Sequence, residues 1–118
     1  TKLIDMKIYH NPKCSKSRKT LELVRNKTSE FEIIEYLKNP LTAKEITVLL
    51  SQLNIKPLAL VRTQEIIWRE NYKGKELTDI EIINAMFENP KLIERPIVVK
   101  NNKAVIGRPP ENVLGLFA

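Results

Sequence analysis

Apolar and polar residues alternate from Leu3 to Tyr9, with Ile4, Met6 and Ile8 separated by Asp5 and Lys7. That period of two predicts a strand with one buried face. His10-Asn11-Pro12-Lys13 then reads as a loop. From Cys14 or Ser15 to about Lys27 the spacing turns helical, with Leu21 and Val24 on one face and Lys and Arg on the other. Phe31 to Tyr36, rich in Ile and aromatics, predicts a second strand. Strand, helix, strand in this order is a crossover unit, so the two strands are expected to run parallel.

Asn39-Pro40 breaks the chain, and Thr42 with Glu45 then forms a capping box ahead of Ile46, Leu49, Leu50 and Leu53 at helical spacing. Pro57 opens a short helix through Val61, while the stretch around Trp68 and Tyr72 has no dominant period and predicts no element. A second capping box, Thr78 with Glu81, opens a helix expected to face inward with Ile80, Ile83, Met86 and Phe87, and Asn89-Pro90 ends it. Ile97–Val99 and Ala104–Ile106 predict two strands joined by Asn101-Asn102-Lys103, an antiparallel hairpin. Pro109 and Pro110 suit the first turn of a closing helix through Phe117. The order predicts an α/β fold, a mixed four-stranded sheet with helices on its faces. No internal repeat, low-complexity tract or linker interrupts residues 1–118, so a single domain is expected.

Composition narrows the class. At 118 residues the chain is long enough to bury a core without metals or disulfides, and its 42% apolar and 29% charged content is ordinary for a globular protein. The net charge of +6 is spread along the chain, and the few aromatics are not interleaved with basic runs. Nucleic-acid binding is therefore not expected; a solvated basic surface or attraction to a small oxyanion is. No apolar run approaches the roughly 20 residues of a membrane span, and no signal-peptide pattern opens the chain. A single cysteine cannot form an internal disulfide, which predicts a reducing, cytoplasmic setting. Met6 is a candidate alternative start, although Leu3 and Ile4 also fit the first strand.

Cys14 lies where a strand ends and a helix begins. Unpaired N–H groups of Ser15, Lys16 and Ser17 are expected to point at its sulfur, and the positive end of the helix favours the thiolate, which is the nucleophilic form. Lys13, Lys16 and Arg18 add positive charge. The same helix end suits an oxyanion. A thiolate and an oxyanion repel each other, so cations must hold them together, and arginine's planar fork fits that task. Arg62, Arg95 and Arg108 are candidates beside Arg25 and Arg69, and spacing alone does not select among them. Arg95 and Arg108 each precede a proline and flank the final hairpin, which could bring both to one end of the sheet. His10, the only histidine, stands four residues before Cys14 and is a candidate to tune the loop or carry a proton. A CxxC dithiol is excluded because position 17 is Ser; a Cys-x5-Arg phosphatase loop is excluded because position 20 is Thr. No metal-ligand cluster, Gly-rich phosphate loop or dinucleotide fingerprint is present.

Tyr9-His10-Asn11-Pro12-Lys13-Cys14-Ser15-Lys16-Ser17-Arg18 resembles the active-site loop of the glutaredoxin-coupled arsenate reductase family. Glu94-Arg95-Pro96-Ile97-Val98-Val99 and Ile106-Gly107-Arg108-Pro109 resemble its second and third hallmarks, and Leu60-Val61-Arg62 matches the site of its first arginine. The basic loop Lys13 to Ser17 resembles a housekeeping branch of that family more than its best-known arsenic-resistance members. The resemblance implies a thioredoxin-like fold with a helical insertion, Cys14 as nucleophile, and Arg62, Arg95 and Arg108 as oxyanion ligands. It further implies His10 as loop support and Pro96 as a cis-proline. The expected activity is reduction of arsenate to arsenite by a cytoplasmic monomer with no bound cofactor, with glutathione as external reductant and glutaredoxin as partner. The chemistry agrees: one cysteine cannot complete a two-electron reduction and needs an outside thiol. A regulator of the Spx type that binds RNA polymerase and a monothiol glutaredoxin-like oxidoreductase are the alternatives.

Overall fold

The computed structural model describes residues 6–117. The described residues form two compact units, one built from residues 6–39 and 95–117 and the other from residues 40–94. The first unit holds a sheet of four strands in the order β2-β1-β3-β4: β1 Met6–Tyr9, β2 Glu32–Ile34, β3 Ile97–Lys100 and β4 Lys103–Ile106. β1 runs parallel to β2 and antiparallel to β3, and β3 pairs antiparallel with β4. This is the mixed sheet expected from the sequence. Positions 3–5 of the predicted first strand lie outside the described residues.

Helix α1, Ser15–Lys27, supplies the β1–β2 crossover. It buries Leu21 and Val24 as its periodicity requires, and also Ser17 and Thr20. Met6 and Ile8 of β1, Val98 of β3 and Val113 of the closing 3-10 helix, Pro110–Phe117, complete this core. The opposite face of the sheet carries Tyr9, Ile97 and Val99, all buried. β2 is shorter than the predicted span Phe31–Tyr36 because Lys38 and Asn39 donate to the Glu35 carbonyl and turn the chain there. The hairpin turn is two residues, not three. Asn101 and Asn102 take φ of 50° and 66°, which matches the right-handed twist of the strands, and Lys103 pairs with Lys100 inside the ladder.

The second unit is helical: α2 Ala43–Leu53, α3 Pro57–Leu60, α4 Ile66–Asn71 and α5 Asp79–Glu88, followed by a 3-10 turn at Pro90–Leu92. Both predicted capping boxes form. Thr42 and Thr78 accept from the N–H of Glu45 and Glu81, and each glutamate returns a carboxylate oxygen to the threonine N–H. α4 falls in the stretch that predicted no element. Its buried anchor, Trp68, stacks on Tyr72 at 5.2 Å, while Ile66 is exposed and hides the period. The inward face of α5 is also corrected. Ile82, Ala85 and Met86 are buried, whereas Ile80 and Phe87 are 71% and 46% exposed. The helix has two apolar faces, and the one toward α2, α3 and the Pro90–Leu92 turn is buried. Among the described residues no helix is long and apolar enough to cross a membrane.

Candidate active site

The loop after β1 is held by its own polar groups. The His10 N–H continues the sheet pairing onto the Ile34 carbonyl at 2.9 Å. The Asn11 side-chain oxygen accepts from the Lys13 N–H at 3.0 Å, a turn that asparagine favours because its side chain mimics the backbone. The Cys14 N–H donates to the Asn11 carbonyl, and Arg18 Nη1 clamps the Pro12 carbonyl at 2.9 Å. Cys14 therefore sits at the N-cap of α1 with extended backbone, φ −97° and ψ 123°, and half-buried.

Behind this loop lies a buried polar pair that sequence reading did not assign. Ser17 Oγ accepts from the Asn11 N–H at 3.0 Å and lies 2.6 Å from His10 Nδ1. One hydrogen lies between Ser17 Oγ and His10 Nδ1, and the imidazole tautomer sets which of the two donates it. Burial is the main cause that lowers the His10 pKa; Glu35 opposes it, and the Arg25 and Arg18 charges reinforce it. His10 thus anchors the loop through Ser17. The signal was present in the sequence as two polar residues, Ser17 and Thr20, in register with Leu21 and Val24 on the buried face of α1.

The arginines arrive from the other end of the chain. Tyr9 pairs with Ile97, and Ile97 with Ile106, so the end of β1, the start of β3 and the end of β4 share one edge of the sheet. Arg95 lies two residues before that register and Arg108 two residues after it, each before a cis-proline, Pro96 and Pro109. Arg108 Nη1 donates to the Arg95 carbonyl at 3.3 Å and lies 3.9 Å from Cys14 Sγ. For the thiol, burial is the largest influence and raises its pKa. The Ser17 N–H, a hydrogen bond from the Arg95 side chain, the Lys16 N–H and the Arg95 charge together overcome it, and the thiol ends below its ordinary value. Two of the three expected backbone donors, Lys16 and Ser17, act on the sulfur. The structure thus brings Cys14, Arg95 and Arg108 together, with His10 bonded to Ser17, whose N–H faces the sulfur.

Gly107 sets the position of Arg108. Its N–H donates to the Pro96 carbonyl at 2.9 Å, and a Cβ built on it would stand 2.7 Å from Thr20 Oγ1 and 3.0 Å from Pro96 Cγ. Gly107→Ala is expected to destabilise the protein by about 1–3 kcal/mol through this overlap, read by thermal melting. Adding Thr20→Ala should restore most of the melting temperature; no restoration would place the overlap elsewhere.

Arg62 belongs to the second unit. Its N–H donates to the Leu92 carbonyl at 2.7 Å, beside an antiparallel bridge between Val61 and Ile93. Its guanidinium is paired with Glu94 at 2.9 Å and Glu65 at 3.4 Å. Among the described residues no group of three or more His, Cys, Asp or Glu side chains is placed to hold a metal ion.

Known proteins resemble this chain in sequence and in fold. The chain is 48% identical over 111 residues to the uncharacterized protein YfgD of Escherichia coli K12, covering 92% of this chain and 93% of that one. It is 41% identical over 112 residues to an arsenate reductase of Haemophilus influenzae, covering 93% and 97%. Its fold superposes on the arsenate reductase from Vibrio cholerae with a TM-score of 0.91 and 44% identity, covering 97% and 98%. The sheet with its crossover helix is the thioredoxin-like arrangement, and residues 40–94 are its helical insertion. The family match runs over residues 9–116, through the Cys14 loop and both arginine-proline segments, and the chain belongs to the ArsC family.

Proposed function

We propose that the protein is an arsenate reductase that uses Cys14 as its single nucleophile and external thiols to complete the cycle. The observation that carries this reading is the Cys14 sulfur with a lowered pKa, hydrogen-bonded by Arg95 and faced by Arg108 at 3.9 Å. A thiolate carries one negative charge, so two guanidiniums beside it leave positive charge for a second anion, and a tetrahedral oxyanion matches their forked donors. Arg62 is proposed as the third oxyanion ligand on the resemblance of its segment. His10 acts through Ser17 as a positioning residue.

In the cycle, the Cys14 thiolate attacks arsenic(V), and an arsenate oxygen leaves as water after protonation. The product is a thiol–arsenate adduct. A second thiol then supplies the other electron pair partner: its sulfur bonds to Cys14 Sγ, the S–As pair stays on arsenic, and arsenite departs. Two thiols are oxidised to one disulfide as arsenic gains two electrons. Ser17 has no thiol and is engaged with Asn11 and His10, so the second sulfur comes from outside. Glutathione fits that role, with glutaredoxin resolving the mixed disulfide on Cys14. Such a cycle suits a reducing cytoplasm and a monomeric enzyme that binds no cofactor.

The test is coupled turnover. Arsenate, glutathione, glutaredoxin and glutathione reductase together should drive NADPH consumption that stops when any one is omitted, and intact mass should show glutathione on Cys14. A folded protein giving no arsenate-dependent consumption would overturn the reading.

A further inference from the structure

Arg62 carries two carboxylates on one guanidinium. Nη1 donates to Glu94 Oε1 at 2.9 Å and Nε to Glu65 Oε2 at 3.4 Å. The pairing is sheltered: the Arg62 and Glu94 side chains are 11% and 21% exposed, and Glu65 is 28% exposed. A guanidinium has five N–H donors in one rigid plane. Among the described residues, these two bonds occupy two of them.

The partners differ in kind. Glu65 is local, three residues on, in a turn closed by its N–H on the Arg62 carbonyl. Glu94 comes from a segment 32 residues away, and the backbone fixes the pair. The Arg62 N–H bonds the Leu92 carbonyl at 2.7 Å, and the Glu94 N–H bonds the Leu60 carbonyl at 2.9 Å, on either side of the Val61–Ile93 bridge. Both side chains therefore project from paired backbone, and the bond between them is charge-assisted and short.

The arrangement has a cost in charge. An arginine used only for its positive charge would attract a dianion best with no acid beside it, and two carboxylates offset that attraction. An arginine used for the direction of its donors gains from being held. We propose that Glu94 is the positioning residue of Arg62, fixing the guanidinium plane so that its remaining donors meet the oxyanion without rearrangement. This rests on Arg62 being an oxyanion ligand. Glu94 also immediately precedes Arg95 in the chain, so the segment that anchors one arginine carries the next.

The test is a set of four variants assayed for kcat and KM toward arsenate at saturating glutathione and glutaredoxin: Arg62→Ala, Glu94→Ala, Glu94→Gln and the double Arg62→Ala/Glu94→Ala. Loss of the anchor should raise KM in Glu94→Ala about tenfold with a smaller change in kcat. Glu94→Gln, whose amide oxygen still accepts from Nη1, should recover part of the loss. The double variant should be no worse than Arg62→Ala alone, because the anchor has nothing left to hold. A lower KM in Glu94→Ala would mean that Glu94 masks the arginine, and would overturn the proposal. So would an unchanged KM, or an equal rise in the Arg62→Ala background. An Arg62→Ala enzyme with normal KM would instead remove Arg62 from oxyanion binding, and the role of Glu94 with it. If Glu94→Ala does not fold, the direction of the KM change in Glu94→Gln decides alone.

Discussion

Cys14→Ser should abolish arsenate turnover, by at least about a thousandfold, while leaving the fold as stable as before or slightly more so. The two halves of this result have separate causes. A serine hydroxyl is not ionised at neutral pH and cannot form a disulfide, so neither attack nor electron transfer survives. Stability should not suffer, because a serine oxygen at this N-cap can take over the Ser17 and Lys16 N–H groups that face the sulfur. Serine is a better N-cap, and its oxygen can accept from the helix N–H groups that now face the sulfur, which is worth up to about 1 kcal/mol. Turnover measured in the coupled assay beside a thermal melt checks both halves. Retained turnover would remove Cys14 from the reaction, and a collapsed melting temperature would make it a packing residue.

Arg95→Ala has the next largest expected effect, in two readouts. The Arg95 side chain both bonds the sulfur and lends it positive charge, so its loss removes two of the causes that hold the thiol pKa down and leaves only the Ser17 and Lys16 N–H groups against burial. The sign follows directly. The rate of Cys14 alkylation rises with pH as thiolate forms, and in Arg95→Ala the midpoint should move to higher pH, leaving less thiolate at neutrality. KM for arsenate should rise about 10–100-fold with the lost oxyanion contact. Arg95→Lys should recover part of the thiol effect but little of the affinity, because an ammonium keeps the charge without the planar fork. Arg108→Ala separates the roles: Arg108 reaches the sulfur at 3.9 Å, so KM should rise with a smaller shift of the alkylation midpoint. An Arg95→Ala enzyme with the wild-type midpoint and KM would refute the assignment.

Both results depend on side chains whose partners are distant in the chain, and the legibility of the sequence divides along that line. The capping boxes at Thr42 and Thr78 were readable because donor and acceptor lie three residues apart and nothing else is needed to bring them together. The placement of Cys14 at a helix start was readable for the same reason, since the strand period stops at Tyr9 and the helical period begins within a few residues. The family resemblance pointed to Arg62, Arg95 and Arg108 among the arginines. Spacing alone did not choose them, and it could not show that Arg62 is held by Glu94.

Where periodicity was ambiguous, packing chose. α5 has apolar residues on two faces, and only contact with α2, α3 and the Pro90–Leu92 turn decides that Ile82, Ala85 and Met86 are buried. α4 has a single buried anchor in Trp68, too little to set a period. The polar contacts of the site depend on tertiary structure most of all. Gly107 is required by Thr20, 87 residues away, and Arg108 meets Cys14 across 94. By itself the sequence determined the local elements and the placement of its one cysteine at a helix start, because dihedral preference and capping act at short range. Tertiary structure alone decided which face of α5 is buried, that Ser17 ties His10 to the loop, and that Arg95 and Arg108 converge on the sulfur, because these follow from strand register and packing between segments that the chain keeps far apart.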